Sequence, residues 1–342
     1  MNSDHSMKTL LGKLVRQPLT NDEMQQCFSI MLNGAASPEQ IAGFISALAT
    51  RGETASDVIT GVTALMEHAT IIKAPDQAMD IVGTGGDGIG TWNISTAATF
   101  VVAGAGYPVA KHGSVAVSSK SGAAEVLSQL GIKLDADMIH VQTALNDIGV
   151  CFLMAPRHHS VMRHVGPVRA ALGFRSIFNM IGPLSNPALV KRFMMGVFSR
   201  DLLNPYADAM LGLGVTHALV VHGSDGLDEV TTTGETHAML IRDGKATAMT
   251  LHPSDIGLPV ANIADLVGGT PDENAAAMRA IFAGTHNAYR DIVIFNAAAA
   301  MFGAGHVDSL TRARDIAETS IDSGAALTKL DQLAAITNRE TE

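Results

Sequence analysis

The sequence predicts an α/β protein, with a small N-terminal helical domain followed by a larger α/β domain that has a mostly parallel central sheet. Three observations support this fold class. The first 70 residues have helical periodicity and no strand pattern. From about residue 79, short apolar runs alternate with helical segments, which is typical of parallel strands joined by crossover helices. The chain of 342 residues also contains 33 glycines, as expected of many tight turns between strands and helices.

The N-terminal helices are predicted by their start signals. Thr20 followed by Glu23, and Ser37 followed by Gln40, both fit capping boxes ahead of apolar residues at helical spacing. A third helix is predicted over Thr54–Ala69. No strand signal interrupts these segments, so we expect a helical module here.

The second part of the chain is predicted to alternate strands with helices. The expected strands are Asp80–Val82, Tyr107–Ala110, Val150–Met154, Met194–Phe198 and Ala218–Val221. The expected helices between them are Ala123–Leu130, Met138–Ile148 and Leu203–Leu213. Asp243-Gly244 between two alternating runs in His237–Thr250 predicts a β-hairpin, and the C-terminal part returns mainly to helix.

Composition excludes several classes of protein. Apolar residues make up 47% of the chain and charged residues 16%, which excludes a disordered chain or a coiled coil. The net charge of −10 and the 4% of aromatic residues argue against a nucleic-acid partner. We expect a cytoplasmic protein with no membrane partner. The sequence has only two cysteines, its N-terminal segment has no continuous apolar core, and its longest uncharged stretch is broken by Gly and Pro.

The strongest functional signal is the segment GTGGDGIGTWNIST, Gly83–Thr96, between a predicted strand and a predicted helix. Five glycines in eight positions let the backbone approach a ligand closely, and the helix start adds its positive dipole end. Asn93, Ser95 and Thr96 supply short polar side chains for an anion or its metal. The alternative is a glycine-rich turn with a capping residue.

The same segment matches the dinucleotide fingerprint G-x-G-x-x-G. That fingerprint expects an acidic residue about 20 positions later, where a ribose hydroxyl binds. Here the next strand ends in Lys111-His112-Gly113, and a cation suits a phosphate better than a ribose diol. We therefore exclude a nicotinamide site.

Lys111–Gly122 predicts a second anion-binding loop, since two lysines, four serines and two glycines lie within twelve residues. By itself, such a segment is equally compatible with a solvated surface loop. Because both loops follow strands of one sheet, we expect them to meet at its carboxyl edge. The expected ligand carries two anionic groups, a phosphate and a diphosphate.

Two adjacent carboxylates, Asp228 and Glu229, follow the strand Ala218–Val221. In a crevice that binds phosphates they would repel each other unless a cation joins them, and Mg²⁺ uses one or two carboxylates, water and substrate phosphates. The alternative is an ordinary acidic turn.

The segment Ala155–Arg169 contains three histidines, and it leads to Phe178–Pro187. His158 and His159 are adjacent and cannot share one helix face, and no Cys or second acidic cluster lies nearby, which argues against zinc. An Arg or His that faces a carboxylated or aromatic substrate is the favoured interpretation.

Together these segments, GTGGDGIGTWNIST, KHGSVAVSSKSG, HHSVMRHVGPVR, IFNMIGPLSNP and GLDEV in this order, resemble anthranilate phosphoribosyltransferase. The resemblance covers nearly the whole chain. It implies the nucleoside phosphorylase/phosphoribosyltransferase-like fold, with a helical domain of residues 1–70 joined by helices from about 159–182. The α/β domain would then comprise residues 71–158 and 183–342. It also implies a homodimer formed through the helical domain.

The resemblance implies an enzyme of tryptophan biosynthesis that uses Mg²⁺, phosphoribosyl pyrophosphate (PRPP) and anthranilate. Carried over by position, the PRPP-binding residues are Gly83, Gly86, Asp87, Thr91, Asn93, Ile94, Ser95, Thr96, Lys111, His112, Gly113, Ser114, Val115, Ala116, Val117, Ser118, Ser119 and Ala123. The anthranilate-binding residues are Gly83, His112, Ser114, His159 and Arg169, with Arg169 as the main recognition group. The magnesium-positioning residues are Ser95, Asp228 and Glu229.

One position departs from the family pattern. Lys-His-Gly is usually followed by Asn and Arg, and here by Ser114 and Val115. That Asn is expected to contact anthranilate near its amine. The departure therefore concerns the acceptor, whereas the motifs for the phosphoribosyl donor are intact.

Two other functions stay open at this point. A nucleoside phosphorylase of the related fold would bind inorganic phosphate on the glycine-rich loop, but the Asp228-Glu229 pair argues against it. A non-enzymatic relative that binds nucleic acid would need a basic cleft, against which the net charge of −10 argues.

Overall fold

The computed structural model describes residues 6–114 and 122–340. Within these ranges the α-helices are α1 (Met7–Leu14), α2 (Asn21–Leu32), α3 (Pro38–Arg51), α4 (Ala55–Met66), α5 (Ile94–Gly104), α6 (Ala123–Gln129), α7 (Met138–Ile148), α8 (Ala155–His158), α9 (Gly166–Leu172), α10 (Ile177–Leu184), α11 (Leu203–Gly212), α12 (Pro271–Phe282), α13 (Ala288–Gly303), α14 (Leu310–Asp322) and α15 (Ala325–Thr337). The strands are β1 (Asp80–Gly83), β2 (Val109–Gly113), β3 (Val150–Met154), β4 (Arg192–Gly196), β5 (His217–Gly223), β6 (Thr236–Arg242) and β7 (Lys245–Leu251). Short 3₁₀ turns occupy Ser160–His164, Arg200–Leu202, Pro253–Ile256 and Ile263–Leu266.

The N-terminal helices begin where the sequence predicts. At α2, the Thr20 hydroxyl accepts from the Glu23 N–H at 3.3 Å, while the Glu23 carboxylate accepts from the Thr20 N–H at 2.8 Å. Ser37 and Gln40 form the same reciprocal pair at α3. The capping boxes satisfy backbone donors that a helix start leaves free, so both predictions are confirmed.

Helices from the middle of the chain pack on the N-terminal ones. α9 lies against α3 and α10 lies against α4. The approach of α10 is close, because a β-carbon at Gly61 in α4 would overlap the side chain of Ile181. This packing is what the predicted joining of residues 159–182 to the helical domain requires, although the exact domain limits stay a prediction.

The sheet is mostly parallel. Its hydrogen-bonded strand order is β1-β4-β5-β6-β7, with β1, β4 and β5 parallel and the β6-β7 hairpin antiparallel. β2 and β3 form a parallel pair, and a parallel bridge from Met79 to Val109 brings β2 beside β1. The chain thus runs outward in both directions from β1, and ligands bind at such reversals of strand order, beyond the carboxyl ends of the strands.

Several predicted strand boundaries are shifted. β2 runs over Val109–Gly113, so Lys111 and His112 lie within a buried strand rather than after it. β4 starts at Arg192, two residues before the predicted strand. A charged residue in the sequence is taken to mark the end of a strand. It can lie inside a buried strand only when tertiary contacts compensate its charge, and these are not visible in the sequence.

The hairpin turn is confirmed at Asp243-Gly244. Their φ values of 52° and 69° are both left-handed, as a two-residue hairpin turn with the right twist requires.

The core centres on α13, whose residues 292–301 are all fully buried. α13 packs against α5, β4 and β5, while α11 packs against β5 and β6 and also against α4. A helix that is apolar on every side belongs in the interior. In the described part of the chain, no helix is long and apolar enough to cross a membrane.

Candidate active site

The predicted site residues meet at the carboxyl edge of the sheet. Gly83 ends β1, Gly113 ends β2, and Asp228 follows β5 by five residues. Of the second predicted anion loop, Ser114 lies at this edge, next to the end of β2, and is exposed. The expected PRPP contacts Val115, Ala116, Val117, Ser118 and Ser119 fall outside the described residues.

Two paired glycines make room for Asp228. Gly83 in β1 is the register partner of Gly196 in β4. A β-carbon at Gly196 would overlap the backbone carbonyl of Asp228, and one at Gly83 would lie 2.5 Å from Asp228 Oδ2. Because neither residue has a side chain, the chain after β5 can cross directly over the ends of β1 and β4.

The glycine-rich loop after β1 has a backbone that other residues rarely adopt. Gly85, Gly86, Gly88 and Gly90 all have φ between 67° and 79°. The Gly85 N–H donates to Asp228 Oδ2 at 2.7 Å, which fixes the start of the loop. Successive left-handed glycines turn backbone N–H groups toward a common concavity that suits an anion.

The far end of this loop is anchored to the C-terminal region. Trp92 stacks on Tyr289, with ring centroids 5.3 Å apart, and Thr91 forms a bridge with Val267. Asn93 Oδ1 accepts from Asn274 at 2.8 Å. These contacts fix where α5 starts and therefore where the positive end of its dipole lies.

The first turn of α5 contacts the acidic pair. The Ser95 N–H donates to Glu229 Oε1 at 3.1 Å. Thr96 is buried, and the side chain of Ile94 is in the core, so Ile94 can offer a ligand only its backbone.

Asp228 and Glu229 are held in a desolvated environment. Burial, followed by the charge of Asp87, raises the pKa of Asp228 to about 6. Burial and the neighbouring Asp228 also raise the pKa of Glu229. Two carboxylates that resist ionising together are suited to a shared cation.

Lys111 is a buried cation that interacts with Glu229 of this pair. It is buried in β2, and its ammonium group donates to Ile81 O and, at 3.4 Å, to Ser95 Oγ. Burial lowers the pKa of Lys111, whereas Asp80 and Glu229 oppose that shift. Its charge therefore lies beneath the glycine-rich loop.

The donor set fits magnesium. Asp228, Glu229 and Ser95 supply oxygen atoms on one side of the site, and none of the described residues form a cluster of three or more His, Cys, Asp or Glu able to enclose a metal. Mg²⁺ commonly takes one or two carboxylates and completes its shell with water and substrate phosphates.

Two histidines line the other side of the cleft. The rings of His112 and His159 meet edge to face at 5.3 Å, and His159 Nε2 hydrogen-bonds Ser185 O at 2.9 Å. His112 Nε2 and His159 Nδ1 are buried, and neither has a hydrogen-bond partner in the described part of the chain. Burial lowers the pKa of His159 to about 4 and that of His112 well below its ordinary value, so both rings are neutral at pH 7.

Arg169 is the cation that the sequence predicts for this side. It lies in α9, half-buried, with its guanidinium 5.5 Å from the ring centroid of Phe178. Within the described ranges it forms no ion pair with an acidic side chain. Burial alone lowers its pKa.

Gly113 and Ala123 line the gap between these groups. A β-carbon at Gly113 would lie 2.8 Å from the Phe152 ring and 3.9 Å from the Ala123 β-carbon, so only small residues fit at this point.

Three contributors to the site were not identified from the sequence. Asp80, buried in β1, accepts from the His112 N–H at 3.1 Å and from Asn186 Nδ2 at 2.7 Å, and thereby fixes the histidine strand. Asn296 in α13 accepts from the Val230 N–H at 2.9 Å and donates to Val230 O at 2.8 Å, which fixes the chain after Glu229.

Arg175 is the third. It lies between α9 and α10, donates to Gly85 O and Gly86 O, and places its guanidinium 3.7 Å from the Phe198 ring centroid. The sequence around Asp80, Asn296 and Arg175 shows only that these residues are polar. Their roles could not be predicted, because each of their contacts described here joins distant parts of the chain.

Comparison with protein families identifies both parts of the chain. Residues 75–327 match the glycosyl transferase family, a/b domain, and residues 8–69 match the glycosyl transferase family, helical bundle domain.

Individual similar proteins are anthranilate phosphoribosyltransferases. The chain is 47% identical to an anthranilate phosphoribosyltransferase of Parvibaculum lavamentivorans over 97% of both chains. The anthranilate phosphoribosyltransferase of Thermus thermophilus superposes with a TM-score of 0.91 at 38% identity, covering 96% of this chain and 99% of that one.

The Saccharomyces cerevisiae enzyme is similar at 27% identity in two solved complexes. The complex with PRPP and Mg has a TM-score of 0.89 and covers 98% of both chains. The complex with 4-fluoroanthranilate has a TM-score of 0.86 and covers 97% of this chain and 99% of that one.

Proposed function

Since this chain belongs to the glycosyl transferase family, and within it to the anthranilate phosphoribosyltransferases, we propose that the cleft described above is where it acts. The enzyme transfers the 5-phosphoribosyl group of PRPP to the amine of anthranilate, in tryptophan biosynthesis. The products are N-(5-phosphoribosyl)anthranilate and pyrophosphate. The observation that carries this assignment is the meeting of a glycine-rich loop, a helix N-terminus and an acidic pair at one sheet edge.

The donor side binds PRPP through the backbone. The N–H groups of the loop and of the first turn of α5 face anionic groups, and the helix dipole adds to the attraction. The contacts are those predicted from the sequence: Gly83, Gly86, Asp87, Thr91, Asn93, Ile94, Ser95, Thr96, Lys111, His112, Gly113, Ser114, Ala123 and the segment 115–119. We propose that Lys111 acts from beneath the loop as a buried positive charge.

Mg²⁺ is the cofactor, and Ser95, Asp228 and Glu229 are the residues that would hold it. When bound, it neutralises negative charge that develops on the departing diphosphate. Because burial raises the pKa of both carboxyl groups, any proton that they hold would have to be released for the metal to bind.

The acceptor side recognises anthranilate through Arg169 and the two histidines. A guanidinium without an acidic partner pairs with the aromatic carboxylate. The neutral rings of His112 and His159 each offer a buried nitrogen for a hydrogen bond. Gly83 and Ser114 complete the predicted contacts.

Alignment supplies much of the rate. The anomeric carbon gains oxocarbenium character as the diphosphate leaves, and the backbone donors stabilise the leaving group. The aryl amine is a neutral nucleophile at pH 7, so no strong general base is needed, and we assign none. Holding the amine and the anomeric carbon in line converts a bimolecular step into an effectively unimolecular one.

The loss of anthranilate fluorescence tests the function directly. Purified protein with PRPP, Mg²⁺ and anthranilate should lose the signal, and omission of any one component should abolish the loss. Release of one pyrophosphate per anthranilate consumed gives the stoichiometry. A nucleoside phosphorylase would instead split a pyrimidine nucleoside with inorganic phosphate and leave anthranilate unchanged, an outcome that would overturn the assignment.

The expected assembly and location belong to the same proposal. The fold relationship supports a homodimer through the helical domain, where Val15 after α1 is an apolar side chain 67% exposed. Sedimentation velocity should give twice the chain mass of 35.7 kDa. A cytoplasmic location follows from the pathway.

A further inference from the structure

Arg175 connects the two sides of the cleft. It lies on the segment that carries Arg169, yet its guanidinium reaches the donor loop, where Nη1 donates to Gly85 O at 3.2 Å and Nη2 donates to Gly86 O. The guanidinium also stacks on Phe198, which follows β4 and whose N–H donates to Thr84 Oγ1 at 3.1 Å. One exposed side chain therefore contacts both the loop and the sheet edge beneath it.

The two accepting carbonyls determine how the loop presents its amides. In a trans peptide the carbonyl and the N–H of the next residue point in opposite directions. Holding the carbonyls of Gly85 and Gly86 toward Arg175 therefore directs the N–H groups of Gly86 and Asp87 away from it. Those amides lie among the left-handed glycines Gly85, Gly86 and Gly88, where the loop presents N–H groups suited to an anion.

The loop is also restrained at its start by a second group. Asp228 accepts the Gly85 N–H at 2.7 Å, so Gly85 is held by its amide on one side and by its carbonyl on the other. A β-carbon at Gly86 would overlap the guanidinium, so this contact also requires glycine there. A flexible glycine loop loses much conformational entropy on ordering, and a side chain that orders it beforehand reduces that cost at binding.

We propose that Arg175 is a positioning residue that holds the glycine-rich loop in its PRPP-binding conformation. This inference rests on the proposed function, since it concerns the donor site of that reaction. Arg175 acts through the loop backbone rather than on the reacting atoms. Two parallel donors and a stacking face are needed, which arginine provides and lysine does not.

The chain offers its own reporter for the test. Trp92 is the only tryptophan and lies at the end of this loop. Titration of its fluorescence with PRPP and Mg²⁺, checked by calorimetry, gives the PRPP dissociation constant. We expect Arg175→Ala to raise that constant about 10- to 150-fold, the range for one lost charge-assisted hydrogen bond. At saturating PRPP, the KM for anthranilate should change by less than about threefold.

Three comparisons make the result decisive. Arg163→Ala removes a charge from the same segment and should match the wild type. Among the described residues, this exposed arginine donates only to Ser160 O in its own turn. Arg175→Lys should remain at least about fivefold weaker than the wild type. The thermal unfolding midpoint of Arg175→Ala should match that of Arg163→Ala, because a merely structural role would lower it.

Two outcomes would overturn the inference. Wild-type PRPP affinity in Arg175→Ala would mean that the loop orders itself. Wild-type affinity in Arg175→Lys would mean that the residue serves as a point charge on phosphate. If wild-type protein neither binds PRPP nor consumes anthranilate, the proposed function itself fails and the inference with it, whereas an active wild type with an unaffected Arg175→Ala rejects the inference alone.

Discussion

On the donor side of the cleft the polar groups are held by backbone and by each other: Asp228 accepts from Gly85, Glu229 accepts from Ser95, and paired glycines admit the acidic segment. On the acceptor side, His112 and His159 each keep a buried nitrogen that has no partner among the described residues. Among the described residues, these donor-side groups are thus paired within the protein, whereas each acceptor-side histidine leaves one buried nitrogen for a ligand to pair.

The pKa shifts on the two sides also have opposite directions. Burial raises the pKa of the donor-side acids and lowers the pKa of the acceptor-side histidines. In both cases desolvation disfavours the charged form. One physical cause, burial, therefore favours the protonated form of the acids on one side and the neutral form of the histidines on the other.

The largest expected effect is on the donor side. Asp228→Asn with Glu229→Gln keeps the shape of the site but removes both charges that would hold Mg²⁺. Since a metal contributes several kcal/mol to transition-state charge stabilisation, turnover should fall about 10²- to 10⁴-fold, and the Mg²⁺ requirement should rise. Steady-state kinetics over a Mg²⁺ series measures both, with the exposed Glu235→Gln as the control. Unchanged turnover at limiting Mg²⁺ would remove the acidic pair from the mechanism.

The pH dependence of unfolding should separate the two sides by sign. His159, with a folded pKa of about 4 against 6.5, stabilises the protein fully above pH 6.5 and loses this contribution as the pH falls toward 4. Asp228, with a folded pKa of about 6 against 3.8, contributes fully below pH 3.8 and loses its contribution as the pH rises through 6. Each shift corresponds to about 3 kcal/mol.

Chemical unfolding in EDTA between pH 4 and 8 measures both contributions. His159→Gln should reduce the fall in the free energy of unfolding at acid pH. Asp228→Asn should have a higher free energy of unfolding than the wild type at pH 7 but not at pH 4. The exposed His286→Gln serves as the control. If the slope of the unfolding free energy against pH is unchanged in both variants, burial does not set the pKa values of His159 and Asp228.

Arg169→Ala tests whether the acceptor side acts separately from the donor side. Loss of a charge-assisted hydrogen bond of about 1.5–3 kcal/mol should raise the KM for anthranilate roughly 10- to 150-fold, with the KM for PRPP nearly constant. Equal changes in both constants would indicate instead that Arg169 supports the packing of α9 through Phe178.

The smallest expected effect is at Ser114. If an Asn here orients the acceptor amine, Ser114→Asn should lower the KM for anthranilate by the value of one neutral hydrogen bond, about two- to twelvefold, and leave that for PRPP unchanged. A pair of Michaelis constants on wild type and variant suffices. Poorer use of anthranilate by the variant would mean that the site is adapted to its serine.

Features that depend on neighbouring residues were predictable from the sequence. The capping boxes of α2 and α3, the Asp243-Gly244 turn and the left-handed glycine loop each follow from the chemistry of a few consecutive residues. The class of ligand followed as well, because the glycine loop precedes a helix and the acidic pair follows a strand. The motif resemblance added the substrates, and the family match confirmed it.

Only the tertiary structure decided which distant residues share the site. Asp228 and Gly85 are 143 positions apart, Asn186 and Asp80 are 106 apart, and Arg175 lies 89 positions from the loop carbonyl of Gly86. No local pattern encodes such pairs, since each forms where the sheet and the helices that pack around it bring separate segments together. The burial of Lys111 and His112 inside β2 was equally hidden, because a charged residue in a strand is stable only when partners from elsewhere in the fold compensate its desolvation.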